Sequence, residues 1–470
     1  MIHKLTECTM LRTIFFKCCC LLAAVAIALP VNVTAVSAQG IPLIRDSEIE
    51  ALLSDYAKPI FKTAGIGSGR VSMRIVKSNG FNAFVVDGRN VFMNTGALTL
   101  ANTPNEIIGV IAHEAGHITG GHLAALRARI RKDQTRALLA QILGIGLLIA
   151  GGAAGDDTGR DIAGAGQGIL YGGSAIITKA LLAERRSQES AADQAGLAFL
   201  NRTKQSGRGM LATFERFAQQ EYISDALKDP FVRSHPVATT RLARLRRKVE
   251  ASPYYNVKDS PELQLRHDLM RAKLSGYLES PAAVFNRFPP QNKSLPARYA
   301  RAIATYFRGG SQGLKSALAQ LDQLITAKPN YPYFWELKGD LLMRSGRKRE
   351  AIGPLKRALK LVKTDSPLME VQLAQALQGS KSKNDIARSI KLLKKSLRSD
   401  KNPQAFRLLA NAYYKQGQQP KAIAMIAQAH FLTGNLKDAK LFAKRAQKKL
   451  KPGSPEWLKN DDIINFQAQK

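Results

Sequence analysis

The chain has 470 residues, with 70 Lys and Arg against 36 Asp and Glu, a formal net charge of +34, and four cysteines. All four (Cys8, Cys18, Cys19, Cys20) lie near the N-terminus, and once that segment is removed disulfides and thiolate metal sites are both excluded. What remains must hold together by core burial alone, and its length suffices for two domains.

Lys4, Arg12 and Lys17 form a positive stretch, Cys18 to Pro30 an apolar one, and Val36-Ser37-Ala38 a small-residue cleavage pattern. Residues 1–38 therefore read as a signal peptide cut after Ala38, which makes the protein an exported one. Removing it lowers the net charge from +34 to +32. Much of the surplus falls late in the chain, for example at Lys391, Lys394, Lys395 and Arg398. That surplus reads either as a surface for anionic partners or as a solvated helical face. Nucleic acid is not expected as a partner, since export removes the opportunity and no recognition motif is present.

Residues 41–100 predict a helix followed by short strands. Val71 to Val76 alternates, and the runs Asn82-Ala83-Phe84-Val85-Val86 and Val91-Phe92-Met93-Asn94 flank the turn Asp87-Gly88, a hairpin pattern. From 104 to about 250 the pattern is helical. Thr103-Pro104-Asn105-Glu106 opens that region as a capping box, and Ile107, Ile108, Val110 and Ile111 give the helix an apolar face.

His113-Glu114-Ala115-Gly116-His117 lies on this helix. Two histidines four apart project from one side and can share a tetrahedral metal. Glu114 can reach a water that zinc acidifies to a pKa of roughly 7, the position of a general base. A third ligand is needed. Gly120 stands where metzincins have glycine, but Leu123 occupies the place of their third histidine. The better candidate is Glu189 in Glu189-Ser190-Ala191-Ala192-Asp193. Asp193, one turn on, can orient a ligand histidine, or it can simply pair with Arg185 or Arg186.

Between these motifs lie two apolar stretches, 138–154 and 162–183. The first is shorter than the roughly 20 residues needed to cross a bilayer, and Gln167 and Lys179 interrupt the second. They read as a hairpin that covers the site or touches the membrane surface, or as buried core.

Residues 252–298 are rich in Pro and Tyr, with one helical run from Glu262 to Leu278, and mark a domain boundary. Beyond it the chain repeats: Trp335, Gly339, Gly346, Ala351 and Ala358 recur as Phe406, Ala410, Gly417, Ala422 and Ala429, each shifted by 71 residues. That shift is two units of about 34 residues plus a short insertion near Ser380-Lys381-Ser382, which resembles the tetratricopeptide repeat. Lys338 departs from the pattern, which usually has Leu there. Weaker units appear around Ala317 and Ala439. Such helix pairs stack into a curved array suited to polypeptides.

The whole chain beyond the signal segment resembles gluzincin-type peptidases of the CAAX-prenyl-protease and HtpX superfamily. More narrowly, it resembles their periplasmic branch with C-terminal tetratricopeptide repeats, the β-barrel assembly-enhancing type. The features that carry this are His122 after the His-Glu motif, Asn94 to Leu98 before it, Glu189 with Asp193, and His235-Pro236 with Arg241. The resemblance implies His113, His117 and Glu189 as ligands of one zinc ion (Zn2+), Glu114 as catalytic base, and Asp193 and Arg241 in support. It puts His235 near the metal, either stabilising the oxyanion or closing the open metal position. It implies a substrate-pairing edge strand around Asn82, Ala83, Phe84 and Asn94. It further implies quality control and assisted assembly of outer-membrane proteins, with their assembly machinery as partner. The competing reading is a chaperone or scaffold with a structural or latent zinc site.

The expected architecture is an α+β zincin-like domain over 39–252, mainly helical with a small antiparallel sheet, a helix-containing linker over 253–297, an all-α repeat superhelix over 298–452, and a tail over 453–470.

Overall fold

A computed structural model describes residues 42–67, 71–86, 90–129, 131–132, 184–218, 220, 228, 231–232, 235, 239–380 and 382–467. The signal segment, both apolar stretches and the Asp87-Gly88 turn lie outside the described residues. No described helix is long and apolar enough to cross a membrane.

The first domain opens with strand β1 (Leu43–Ile44) and helix α1 (Ser47–Thr63). Asp46 caps α1 by accepting from the Ile49 amide at 3.0 Å, and Ile49, Leu52, Leu53, Tyr56 and Ile60 form its buried stripe. Strands β2 (Ser72–Val76), β3 (Ala83–Val85) and β4 (Asn90–Asn94) follow. The expected hairpin forms: β3 and β4 run antiparallel, with Phe84 opposite Phe92.

The sheet is nevertheless mixed, not antiparallel. Its order is β1-β2-β4-β3, and β4 lies parallel to β2, with Arg74 opposite Phe92. The chain leaves β2, crosses over to build β3 at the edge, and turns back through the hairpin to insert β4 beside β2.

Two helices complete the scaffold of the site: α2 (Thr95–Leu100) and α3 (Pro104–Thr119). The capping box expected at the start of α3 is replaced by a bond one residue earlier. The Thr103 side chain makes no capping bond, while Glu106 Oε1 accepts from the Asn102 amide at 2.9 Å. Asp259, distant in sequence, takes the Asn105 amide at 2.9 Å. The domain continues through α4 (184–202), α5 (Arg208–Phe217) and α6 (Thr239–Glu250).

Helix α7 (Pro261–Leu278) is more than a linker. Met270 and Leu274 belong to the core of the first domain, Leu269 and Ala272 to that of the repeats. Its Lys273, 4% exposed, reaches Asp46 at 2.7 Å and Glu48 at 3.2 Å, and Glu48 accepts from Tyr299 of the repeats at 2.9 Å. Residues 43–470 accordingly form one compact unit.

Helices α8 (Pro281–Arg287), α9 (Leu295–Phe307) and α10 (Gly310–Ala327) lead into the repeats. Helices α11 (Pro332–Arg344) and α12 (Lys348–Leu361), α13 (Pro367–Leu377) and α14 (Lys383–Ser399), and α15 (Pro403–Lys415) and α16 (Gln419–Leu432) make three successive pairs. Gly346 and Gly417 both turn with φ of 76°, a left-handed conformation that favours glycine. A Cβ on Gly339 would stand 2.5 Å from Leu355, which is why a small residue is required there. Lys338 pairs with Asp322 in place of the usual apolar contact. Helices α17 (Leu436–Gln447) and α18 (Pro455–Asn465) finish the array. The segment read as a tail thus holds a helix, with Ile463 packed against Ala427, Ala439 and Ala443.

Candidate metal centre

Helix α3 is buried along most of its length, and His113 and His117 leave it on one side with their Nε2 atoms 3.1 Å apart. Helix α4 faces them at very short range. A Cβ on Gly116 would stand 2.6 Å from the Ala192 carbonyl oxygen, and one on Gly196 would stand 3.0 Å from the Ala112 carbonyl carbon. This close approach carries the Glu189 carboxylate to 3.4 Å from His113 Nε2 and 3.5 Å from His117 Nε2. His235 Nδ1 joins them, 3.2 Å from His113 Nε2 and 3.2 Å from Glu189.

One donor atom from each of His113, His117, Glu189 and His235 falls within 4.8 Å of all the others. A tetrahedral zinc about 2.0–2.1 Å from each ligand sets neighbouring donors about 3.3–3.4 Å apart. Five of the six separations run from 3.1 to 3.5 Å, and the sixth, between His117 and His235, is within 4.8 Å. Three imidazole nitrogens and a carboxylate also suit zinc chemically. The donor set fits the ion.

An outer layer of contacts fixes the rings. His113 Nδ1–H donates to Asp193 Oδ1 at 2.9 Å, which leaves Nε2 free to point at the shared centre. Arg241 grips Asp193 through Nε and, at 2.7 Å, through Nη2, while its Nη1 lies 3.1 Å from Glu189. Burial pushes the Asp193 carboxyl up, but the hydrogen bonds from Arg241 and His113 outweigh it and hold it below its ordinary value. Asp193 therefore pairs with Arg241, not with Arg185 or Arg186. Phe214 fills the space between, with the Arg241 guanidinium 4.7 Å from its ring centre and His113 edge-on at 5.7 Å.

Glu114 is 1% exposed, and its Oε1 makes no hydrogen bond with any described residue. It lies 3.3 Å from His235 Nε2, whose N–H donates instead to the Ala83 carbonyl at 3.3 Å. Burial raises the Glu114 carboxyl above its ordinary value, against the opposing charges of His235 and His113. A carboxylate with a vacant acceptor atom beside a metal-type donor set is equipped to take a proton.

The edge strand is placed more narrowly than the sequence reading had it. Ala83 and Phe84 are on β3, the outer strand of the sheet, and Asn82 precedes it. Asn94 is on the interior strand β4, where its Nδ2 donates to the Gly80 carbonyl at 3.1 Å. It supports the loop before β3 and offers no free edge.

Residues 44–249 match the model of peptidase family M48, and residues 311–435 match that of the cytochrome c-type biogenesis protein H TPR domain. The chain carries a family M48 metalloprotease domain. It is similar over 445 residues to the beta-barrel assembly-enhancing protease of Yersinia pestis, at 25% identity, covering 90% of this chain and 84% of that one. The protein of the same name from Escherichia coli K12 is 23% identical over 429 residues, with the same coverage. The E. coli metalloprotease YcaL is 25% identical over 209 residues, 43% of this chain and 74% of that one.

Two contacts of the M48 domain escaped the sequence reading as site contacts. His122 Nδ1 stands 3.0 Å from His117 Nδ1, so the second histidine of the motif also has an outer partner. With His117 Nε2 turned to the shared centre, its Nδ1–H is the donor of that bond. The spacing of five after His117 could have suggested it, because His122 begins the helical residues 122–129 that follow the Gly120-Gly121 turn. Phe214, in contrast, carried no signal in the sequence beyond being one more apolar residue.

Proposed function

We propose that the protein is a periplasmic zinc-dependent endopeptidase that degrades failed outer-membrane proteins and assists the assembly of others, with its repeats holding the client. One observation carries the peptidase reading: beside the convergent donor group, Glu114 Oε1 is buried with no hydrogen-bond partner among the described residues. A structural zinc site has no need of a base at that place. His113, His117 and Glu189 would hold a zinc ion, which would supply Lewis acidity toward water and a peptide carbonyl. Glu114 then accepts the proton of the attacking water at Oε1 and can return it to the leaving amine. Strand β3 offers backbone groups to an extended peptide, a mode of binding that depends little on side chains.

The position of His235 supports a latent resting state. Its Nδ1 stands with the other donors, and its Nε2–H occupies the Ala83 carbonyl on the strand that would pair with substrate. Withdrawal of this one ring frees both the fourth donor position and a substrate acceptor. A protein held in the closed state would bind clients without cutting them, so the chaperone reading becomes one state of the same molecule.

Similarity to beta-barrel assembly-enhancing proteases over 90% of the chain supports the choice of client. The cleavage pattern ending at Ala38 supports export, and stretches 138–154 and 162–183 are proposed to touch the membrane surface. The test is a pull-down with Glu114→Gln, which should retain bound clients uncut. Recovery of outer-membrane β-barrel proteins or their assembly subunits is expected, and recovery of none would refute the client assignment.

A further inference from the structure

Positive charge that the proposed activity leaves unused gathers behind the metal centre. Helix α6 turns Arg241, Arg244, Arg247 and Lys248 toward one cavity of about 360 Å3, whose opposite wall is Ser190 and Gln194 of α4. Arg241 is committed to Asp193 and Glu189. Lys248 Nζ donates to the uncharged Gln194 Oε1 at 2.9 Å. Among the described residues, Arg244 and Arg247 have no hydrogen-bond or ion-pair partner. Among the described residues Asp193 is the only carboxylate lining the cavity, and Arg241 and His113 already share it.

Arg244 lies one turn from Arg241, Arg247 and Lys248, and like charges at that spacing repel one another. The C-terminal dipole of α6 favours Arg247 and Lys248 in its last turn, but Arg244 sits in mid-helix, beyond that effect. The cavity has the volume of a small-ligand site, and arginine forks match tetrahedral oxyanions in geometry. The geometry points to a phosphate-binding site between α4 and α6, filled by inorganic phosphate or by the phosphate of a lipid headgroup. Because its wall is the Asp193–Arg241 pair, the ligand braces the layer that orients His113. The site is independent of whether the protein cleaves peptides.

The test uses the full chain beyond Ala38 and the variant Arg244→Ala/Arg247→Ala, with Lys391→Ala/Lys394→Ala on α14 as a charge-matched control. All four positions are exposed. Inorganic phosphate is titrated calorimetrically against chloride of equal ionic strength. In parallel, sedimentation is measured with phosphatidylcholine vesicles with and without phosphatidic acid. Saturable binding of one phosphate per chain, weakened at least tenfold in the α6 variant alone, assigns the site to the free anion. Vesicle binding that falls at least threefold more in the α6 variant than in the control, without saturable phosphate binding, assigns it to the lipid headgroup. If the α6 variant matches the control in both assays, the site does not exist.

Discussion

Replacing Gly116 by alanine tests how the site is built, because two effects of opposite sign compete there. Helix propensity alone favours the change by about 1 kcal/mol. The new Cβ, however, would lie 2.6 Å from the Ala192 carbonyl oxygen and 2.8 Å from its Cα. Ordinary contact begins at 3.4 Å, so α3 and α4 must part by roughly 0.6–0.8 Å at a point where both neighbours are backbone. Overpacking of this kind costs about 1–3 kcal/mol, which leaves a net loss of up to about 2 kcal/mol. Glu189 sits one turn before Ala192, so the same shift moves a donor away from His113 and His117. Zinc affinity should fall about 10–100-fold, as it does when a ligand's support is disturbed. Thermal unfolding of the zinc-free protein and a chelator competition measure the two terms separately. A higher melting temperature with unchanged zinc affinity would refute the account of the α3–α4 contact.

Asp193→Asn keeps the shape but removes the charge that Arg241 and His113 share, and zinc affinity should drop about 10–100-fold in chelator competition while the fold persists. Lys273→Met leaves the buried Glu48 and the half-buried Asp46 without their cation, and denaturant titration should show a loss of about 3–5 kcal/mol. Burial pushes the Glu336 carboxyl up to about 8 from its ordinary 4.5, against the opposing charge of Lys273. The folded protein therefore keeps this proton to higher pH than the unfolded chain does, and the contribution to stability falls as pH rises from 4.5 to about 8. Melting curves of Glu336→Gln across that range should lose this part of the slope, and an unaltered slope would count against it.

The parts of the molecule that follow from local pattern were legible in the sequence. His113, Glu114 and His117 share a helix because four-residue spacing on an apolar-faced run dictates it. The turn glycines Gly346 and Gly417 and the buried alanines Ala351 and Ala422 follow from a repeat that must stack. What escaped depends on contacts between distant segments. The parallel pairing of β2 with β4 is decided by where a crossover lands, which alternation of side chains does not encode. Asn94 has the composition of its neighbours in β4, and only the strand order shows that it is interior. Glu262 to Leu278 looked like a helix within a linker. Its apolar residues point all round because both sides are covered, and no single-face pattern could show that. The role of His235 lay in between: the resemblance brought it near the metal, but its two nitrogens could be assigned only once Glu189 and Ala83 stood around it.

Zinc content and casein hydrolysis, measured together on wild type, Glu114→Gln and His235→Ala, test the central claim most directly. A latent metallopeptidase should hold one zinc per chain in wild type and Glu114→Gln, lose hydrolysis with Glu114→Gln by about 10²–10⁴-fold, and gain it with His235→Ala. Zinc bound in all three proteins with hydrolysis in none would contradict the account and leave a binding protein built on a peptidase fold.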